Sequence, residues 1–274
     1  MQVKKPNSRR NLDTALERLV GKQNLVAKRT VIANAIVAQM LPNGATKGGS
    51  AIKMRLGDRA TRFTTDLDVA RASTLDEFSE RLASTLAVGW EGFTGTLIKG
   101  RQAHPEGVPP QYVMQPFAIK LSYNSKSWIT IDLEVGHDEI GDADKPDYVL
   151  PDDANSILEK LGFPPLGPIP VMALRHQIAQ KLHAVSTPGS TRAHDLIDLQ
   201  LLDTAYKGDY ADVRSTCVRL FAYRGMQTWP PLIEEGANWE TLYSSQLPDN
   251  KLIPQVSEAV TWANSLIAQI DAAC

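Results

Sequence analysis

The sequence contains little cysteine and no apolar run long enough to cross a membrane. Only Cys217 and Cys274 carry thiols among 274 residues, which excludes a disulfide scaffold and favours a reducing compartment. The most apolar early stretch, residues 31–41, is interrupted by Asn34 and Gln39 and is far shorter than the roughly 20 residues that a bilayer requires. We therefore expect a cytoplasmic protein that makes no membrane contact.

Neither sign of charge is in excess. The 29 Lys and Arg residues face 31 Asp and Glu residues, which leaves a net charge of −2, and 43% of the chain is hydrophobic. This balance excludes a protein that binds nucleic acid through overall basicity, so a nucleic-acid partner must meet a local basic patch. The length is sufficient for one large domain or two modest ones with a real core.

The hydrophobic pattern divides the chain into a mixed part and a helical part. Residues 12–40 predict one helix, and residues 73–88 predict a second, with Ser73 or Thr74 as its N-cap and Glu77 as the acid of a capping box. Three runs rich in β-forming residues follow: 93–101, 112–123 and 127–135. Four helices are predicted beyond them: 171–185, 192–206, 210–222 and 253–273.

The sequence therefore predicts an α+β fold of two domains. Residues 1–150 should form a small mixed sheet flanked by helices, and residues 151–274 should form a helical domain that closes a cleft over the first. The boundary is placed where the chain becomes rich in acidic residues and prolines, because such segments join elements rather than form them.

A pair of acids at alternating positions is the most informative feature. Asp66 and Asp68 lie two residues apart on a predicted strand, so both carboxylates point to the same side while Leu67 points into the core. Such a pair is favoured when a cation lies between the carboxylates, and Mg²⁺ prefers their oxygen atoms. Asp132, on a later strand, is predicted to complete a site for Mg²⁺, with Mn²⁺ as the alternative.

A glycine-rich turn precedes the acid pair. Gly48, Gly49 and Ser50 open a short helix over residues 51–56, and helix N-termini with nearby glycines bind phosphate groups. A phosphate cradle followed by a metal-binding acid pair is the minimum equipment for nucleotidyl transfer, because metal ions activate the attacking hydroxyl and neutralise the departing pyrophosphate. Arg62, four residues before Asp66, is suited to bind a phosphate or to neutralise the acids.

These motifs resemble a known family. Gly-Gly-Ser-Ala-aliphatic followed by Arg-x-Thr-x-Asp-aliphatic-Asp, within residues 47–69, resembles the signature of the AbiEii/AbiGii-type nucleotidyltransferase toxins of type IV toxin–antitoxin systems. That group includes the mycobacterial MenT toxins and belongs to the DNA-polymerase-β-like nucleotidyltransferase superfamily. Residues 178–185 and 192–199 resemble its Ala-Glu-Lys-Leu and Arg-x-Lys-Asp-x-x-Asp-Leu helices. The chain departs at Gln180, where Glu is usual, and at His194, where Lys is usual.

The helical part adds two candidates. Lys181 lies beside an apolar helix face, and Asp195 shares a helical stripe with Asp198, Leu199 and Leu202. An unpaired buried charge is expensive, so Lys181 and Asp195 are predicted to pair and to face the cleft. Lys181 would then steady a triphosphate, and Asp195 would orient it or act as a general base. On the alternative interpretation both residues belong to the framework; the role of Asp198 stays open.

The resemblance implies a reaction, its residues and its partners. A nucleoside monophosphate would pass from an NTP to an acceptor hydroxyl, namely the 3′ end of tRNA, which blocks translation and growth, and a separately encoded antitoxin would neutralise the protein. The candidate catalytic residues are Asp66, Asp68, Lys53, Lys181 and Asp195. The candidate nucleotide-binding residues are Gly49, Ser50, Lys53 and Arg62, and the candidate metal ligands are Asp66, Asp68 and Asp132.

Three other functions stay open at the level of the sequence. A nucleotidyltransferase that modifies a small molecule such as an antibiotic shares the same metal chemistry, and so does one that modifies a protein. A non-catalytic binding module would retain the fold alone, although the intact acid pair argues against it. Labelled NTP offered with tRNA, aminoglycosides or protein separates these functions by where the label arrives.

Overall fold

The structure is a computed structural model that describes residues 3–58, 60–62, 64–103, 113–248 and 252–274. The chain forms two compact units. Unit 1 consists of Met1–Asp58 and Phe63–Met172, and unit 2 consists of Arg59–Arg62 and Ala173–Cys274. The short segment that ends at Arg62 therefore belongs with the C-terminal helices, although it lies within the N-terminal part of the sequence.

A mixed sheet organises unit 1. Its strands in the described residues are β1 (Gly44–Lys47), β2 (Leu67–Arg71), β3 (Phe93–Lys99), β4 (Gln115–Tyr123), β5 (Lys126–His137), β6 (Asp147–Val149) and β7 (Ile169–Val171). Their order across the sheet is β3-β4-β5-β2-β1-β7-β6. The pairs β2–β5 and β1–β7 are parallel, and the other pairs are antiparallel. This order brings β2 and β5, which carry the predicted metal ligands, side by side.

The helices of unit 1 flank this sheet. They are α1 (Arg9–Val20), α2 (Leu25–Ala38), α3 (Gly48–Leu56), α4 (Leu75–Val88) and α5 (Asp152–Lys160). The capping box at the start of α4 is confirmed, since Thr74 and Glu77 exchange both hydrogen bonds. The single helix predicted over residues 12–40 is wrong, because Gly21 adopts a φ of +81° and a 3₁₀ turn follows it.

The core of unit 1 is built from alternate strand residues. Leu67, Val69 and Leu133 are buried and pack with Ile36 of α2 and Leu82 of α4 in one apolar cluster. Burying a side chain of this size stabilises the fold by about 1.5–3 kcal/mol, so the register of β2 and β5 is strongly fixed. Because strand side chains alternate, the intervening residues of both strands must point to the opposite face.

The sheet of unit 1 extends beyond the boundary predicted at residue 150. Thr46 of β1 pairs with Val171 of β7, and Leu158 of α5 belongs to the apolar cluster of unit 1. The segment from α5 to β7 is therefore part of the first unit, which ends at Met172. The prolines of this segment obscured a strand of only three residues, Ile169–Val171.

Unit 2 is helical. Its helices in the described residues are α6 (Leu174–Val185), α7 (His194–Ala205), α8 (Tyr210–Arg224), α9 (Trp239–Ser244) and α10 (Val256–Ala272). Helix α6 packs on α7 and α8, and α10 packs on α7, α8 and α9. The predicted α+β fold, a small mixed sheet with helices followed by a helical part, is confirmed. Within the described ranges, no helix has the length and hydropathy that a membrane span requires.

Candidate functional site

Four carboxylates lie close together at the sheet of unit 1. Asp68 of β2 lies directly opposite Glu134 of β5 in the parallel register. Asp132 lies two residues before Glu134, so the alternation of strand side chains places Asp68, Asp132 and Glu134 on the face opposite the core. Asp66 directly precedes β2, and its charge acts on Glu134. We call these four residues the acid face. Two of them lie on or beside β2 and two lie on β5, although these strands are more than 60 residues apart in the chain.

The carboxylates of the acid face lie close enough to repel one another. Asp66 and Asp132 are exposed, whereas Asp68 and Glu134 are half-buried. Burial raises the pKa of Glu134, and the negative charges of Asp68 and Asp66 raise it further. A cation bound here would relieve this repulsion, as the sequence predicts for the Asp66–Asp68 pair.

Glu134 was missed by the sequence reasoning, which named only Asp132 on this strand. The register places Glu134, not Asp132, opposite Asp68, whereas Asp132 lies opposite Ala118 of β4. The signal was present, because Asp132-Leu133-Glu134 repeats the alternation of Asp66-Leu67-Asp68. What the sequence does not contain is the pairing of β2 with β5.

The glycine turn lies against the acid face. Gly48 has a φ of +63°, and a methyl group added to it would lie 2.2 Å from Oδ2 of Asp68. Only a glycine permits both this conformation and this close approach. The N-terminal end of α3 is therefore held beside the Asp68 carboxylate, which puts the predicted phosphate-binding turn next to the predicted metal ligands.

Ser50 fixes the segment that carries Asp66. Its buried hydroxyl donates to the backbone carbonyl of Asp66. Thr65 Oγ1 donates to Asp66 Oδ1 at 2.9 Å, and Asn34 Nδ2 donates to the carbonyl of Thr65 at 3.2 Å. Ser50 thus positions the first acid of the pair, and its predicted contact with the nucleotide stays a prediction, as does that of Gly49.

Lys53 belongs to an ion cluster within unit 1. Its buried amine lies 2.5 Å from Asp58 Oδ1, and Lys28 binds the other oxygen of Asp58. Burial raises the pKa of Asp58, but the hydrogen bonds from the two lysines outweigh it and lower that pKa overall. The backbone N–H of Asp58 donates to Asp153 Oδ2 at 2.6 Å. A triphosphate at Lys53 would therefore compete with Asp58 for the amine.

Unit 2 contains a second group of charges, in which Lys181, Asp195 and Asp198 are buried. Lys181 Nζ donates to Asp195 Oδ1 at 2.6 Å and to Asp198 Oδ2 at 2.7 Å. Arg62 binds Asp198 with Nε at 3.1 Å and Nη2 at 3.0 Å, and Arg192 Nε binds Asp195 at 2.6 Å. We call these five residues the ion network. The pairing of Lys181 with Asp195 that the sequence predicts is present, and Asp198 shares it.

The ion network keeps its charges because they are paired. Burial alone would raise the pKa of Asp195, but Lys181 and Arg192 outweigh it and lower the pKa to about 2. Burial would likewise lower the pKa of Lys181, yet the two carboxylates raise it overall. Burial lowers the pKa of His194 to about 4, so His194 adds no fixed positive charge where the family usually has Lys.

The predicted site residues are distributed between the two units. Unit 1 holds the metal candidates Asp66, Asp68 and Asp132 and the nucleotide candidates Gly49, Ser50 and Lys53. Unit 2 holds Arg62, Lys181 and Asp195. Arg62 was predicted to meet a phosphate or the acids beside it in sequence, whereas its guanidinium is bound to Asp198. Its role in nucleotide binding stays a prediction.

The acid face offers the ligand type that a hard divalent cation requires. Within the described part of the chain, no group of three or more His, Cys, Asp or Glu side chains is arranged as a finished metal site. The donor set nevertheless fits Mg²⁺, because it consists of carboxylates alone and Asp68 faces Glu134 across adjacent strands. Binding would require the side chains to turn towards a shared ion.

Comparison with known proteins gives a family match over most of the chain. The family model described as "Nucleotidyl transferase AbiEii toxin, Type IV TA system" matches residues 45–266, a span that includes the acid face and the ion network. The structure is similar to that of MenT4, a nucleotidyltransferase toxin from Mycobacterium tuberculosis H37Rv, with a TM-score of 0.53, 16% identity and coverage of 95% of this chain and 94% of that one.

A second solved structure, JHP933 from Helicobacter pylori, gives a TM-score of 0.48 at 15% identity, with 91% of this chain and 92% of that one covered. A comparison with curated protein sequences returns no match. At such low identities the structural likeness to MenT4 supports the fold, and the family match supports the kind of reaction.

Proposed function

The chain belongs to the AbiEii family of nucleotidyltransferase toxins of type IV toxin–antitoxin systems, and from this premise we propose that it transfers a nucleoside monophosphate from an NTP to the 3′ end of tRNA. The observation that carries the chemistry is the acid face, with Asp68 opposite Glu134 and the turn at Gly48 beside them. Groups suited to bind phosphate and a cation lie together there, which supports nucleotidyl transfer.

In the proposed reaction the acceptor hydroxyl oxygen bonds to the α-phosphorus of the NTP. The bond from that phosphorus to the bridging oxygen breaks, pyrophosphate leaves, and the hydroxyl proton passes to a carboxylate of the acid face. Backbone N–H groups of Gly49 and Ser50, at the N-terminus of α3, would bind phosphate oxygens. Lys53 would add a positive charge once its amine exchanges Asp58 for the triphosphate.

The reaction is proposed to depend on Mg²⁺, which Mn²⁺ could replace. Asp66, Asp68 and Glu134 would hold the ion, with Asp132 at the edge of the same face. When bound, the ion would lower the pKa of the attacking hydroxyl and neutralise the charge that develops on pyrophosphate. The carboxylates themselves would fix where the ion lies.

The ion network is proposed to assist by orientation. Asp195 has a pKa of about 2 and is buried against Lys181, so it is a weak base at neutral pH and is suited to hold Lys181 rather than to remove a proton. This favours the first of the two roles that the sequence left to Asp195. Lys181 and Asp195 are therefore proposed to be positioning residues of the reaction.

The biological consequence proposed is a block of translation. A nucleotide added to the 3′ end of tRNA prevents aminoacylation, which would stop growth until a separately encoded antitoxin neutralises the protein. We place this action in the cytoplasm, where tRNA and NTP are found. Because the protein has a net charge of −2, it must hold tRNA through a local basic patch. The binding of tRNA should therefore weaken as the salt concentration is raised.

The test is to incubate the protein with each α-labelled NTP and total RNA, and separately with aminoglycosides and with protein. Label on tRNA that requires Mg²⁺ or Mn²⁺ and is absent with Asp68→Asn supports the proposal. Label on an aminoglycoside or on protein would replace tRNA as the acceptor. Absence of transfer to any acceptor, from protein shown to be folded, would leave a binding module as the function.

A further inference from the structure

Lys47 carries a positive charge at a position that helix formation does not favour. It ends β1, is paired with Asp68 in the antiparallel register, and is the N-cap residue of α3. Helix N-termini favour negative charge, and N-cap positions favour Ser, Thr, Asp and Asn. The lysine is therefore held here by some other interaction, and its register places it on the side of the acid face.

The side chain of Lys47 reaches across β2 to β5. A methyl group added at Gly136 would lie 2.9 Å from Lys47 Nζ. Gly136 lies on β5 two residues after Glu134, hence on the same face, and it is paired with Ala70 of β2. Lys47 is paired with Asp68, whereas Gly136 is paired with Ala70, so the side chain crosses β2 diagonally. Small residues at Gly136 and Ala70 leave the room for it.

The groups around the Lys47 amine are mostly acidic. Its charge acts on Glu134 and on Asp142, and also on His137, all within one segment of unit 1. Asp68 lies across from it on β2. The amine is thus a cation beside Asp68 and Glu134, and it partly offsets the repulsion between them.

We propose that Lys47 is a built-in counter-ion of the acid face, a positioning residue that steadies Asp68 and Glu134 while no divalent cation is bound. The inference rests on the metal dependence in the proposed function. Because Lys47 repels any second cation, it also keeps the affinity for the free metal ion modest. A metal ion that arrives with a triphosphate carries negative charge with it and meets less of this repulsion.

The experiment measures Mn²⁺ alone, without nucleotide, binding to the full chain by calorimetry. Lys47→Met removes the charge and keeps the length, Lys47→Arg keeps the charge, and Lys126→Met removes an exposed lysine at the far end of β5 as the matched control. We expect Lys47→Met to bind Mn²⁺ about three- to tenfold more tightly than the wild type. Lys47→Arg and Lys126→Met should match the wild type.

Thermal unfolding in chelator gives a second readout. Lys47→Met should unfold several degrees below the wild type because the acids lose their counter-ion, and saturating Mn²⁺ should close this gap. Lys47→Gln, neutral but polar, repeats both measurements if the methionine variant aggregates. Neither readout uses transfer activity, so a protein that transfers to no acceptor can still support this inference.

Unchanged or weaker Mn²⁺ binding by Lys47→Met would overturn the proposal while leaving the proposed function intact. If nucleotide affinity in chelator falls instead and Mn²⁺ affinity does not change, Lys47 binds the triphosphate and is not a counter-ion. If the wild type itself binds no Mn²⁺ and Asp68→Asn behaves identically, the inference and the metal dependence fail together.

Discussion

Two acid pairs in this molecule experience opposite environments. In unit 1, Asp66 and Asp68 lie on or beside a strand with Glu134 next to them, and each negative charge raises the pKa of Glu134. In unit 2, Asp195 and Asp198 lie on one helix and share the amine of Lys181. The first pair is open and repulsive, whereas the second is buried and neutralised.

The difference shows which carboxylates can still bind a cation. A carboxylate that already has a buried ammonium or guanidinium partner gains little from another cation, and removing its partner leaves an uncompensated charge. Carboxylates that repel each other on an accessible face gain from a cation directly. The acid face is therefore suited to bind a ligand, and the ion network is suited to hold α6 and α7 together.

The sharpest way to break this comparison is Asp68→Asn. It should lower transfer by about a thousandfold, or roughly 4 kcal/mol in barrier, because it removes a proposed metal ligand. The melting temperature should not fall, since one repulsive charge disappears with it. Initial rates with labelled NTP measure the loss of transfer, and calorimetry of the same sample measures the melting temperature. Near-normal transfer by the folded variant would remove Asp68 from the site.

Lys181→Met should do the reverse and act mainly on stability. Removing one partner from a buried ion network typically costs about 3–5 kcal/mol, so unit 2 should melt well below its normal temperature. Lys207→Met, at an exposed position of unit 2, serves as the control and should change little. The rate per folded molecule should also fall by about tenfold, or 1.4 kcal/mol. A rate that does not change would make the ion network purely structural.

Glu134→Gln and Asp132→Asn compare the third metal ligand that we propose from the strand register with the one predicted from the sequence. Because Glu134 lies opposite Asp68, we expect its variant to lose more than about tenfold in rate, about 1.4 kcal/mol. The exposed Asp132 should lose less. The Mg²⁺ concentration needed for half-maximal transfer should rise more for Glu134→Gln than for Asp132→Asn. The opposite ranking would restore Asp132 as the third ligand.

The pH dependence of stability should also differ between the units. Asp138 Oδ1 accepts hydrogen bonds from Gly141 N and Asp142 N at 2.6 and 2.7 Å, and burial beside Asp138 raises the pKa of Asp142 to about 7. A carboxyl with a raised folded pKa stabilises the fold below its ordinary pKa, and this contribution is lost as the pH rises through about 7.

Unit 1 should therefore melt about 3–6 °C lower at pH 8 than at pH 5, the effect of 1–2 kcal/mol in a domain of this size. Asp142→Asn should reduce this dependence, because an amide does not titrate. Unit 2 should change in the opposite direction, because burial lowers the pKa of His183 and of His194 to about 4 from the ordinary value of 6.5. Both histidines bind fewer protons in the folded chain than in the unfolded chain over this interval, so the stability of unit 2 should rise with pH there. Calorimetry across the pH range tests it, and equal slopes in the wild type and variant would contradict it.

Local patterns predicted the parts of the site that depend on neighbours in the chain. The alternation of Leu67 and Asp68 and the stripe of Asp195 and Asp198 follow from the periods of strand and helix, and the structure has both. The predicted strand began too early, because β2 begins at Leu67 and leaves Asp66 just before it. The break at Gly21 was missed because apolar spacing continues through it. Periodicity records which side chains are buried, and it does not record a single residue with positive φ.

What depends on distant pairing could not be predicted. The position of Glu134 opposite Asp68 follows from the parallel pairing of β2 with β5, and no residue in either strand specifies its partner uniquely. The bond of Arg62 to Asp198 joins residues 136 positions apart. A charged side chain can form an ion pair with any opposite charge that the fold brings near it. The short distance in sequence between Arg62 and Asp66 therefore did not identify the partner of Arg62, which is Asp198.

The strand order has a consequence for the stage of synthesis at which the acid face is complete. During synthesis β2 emerges early, but it can pair with β5 only after His137 has been added. In the same way, β1 can pair with β7 only after Val171 has been added. Pairings over such separations form late, because the loop must close before contacts repay it. A growing chain would therefore carry its carboxylates on an unfinished sheet until β7 has left the ribosome.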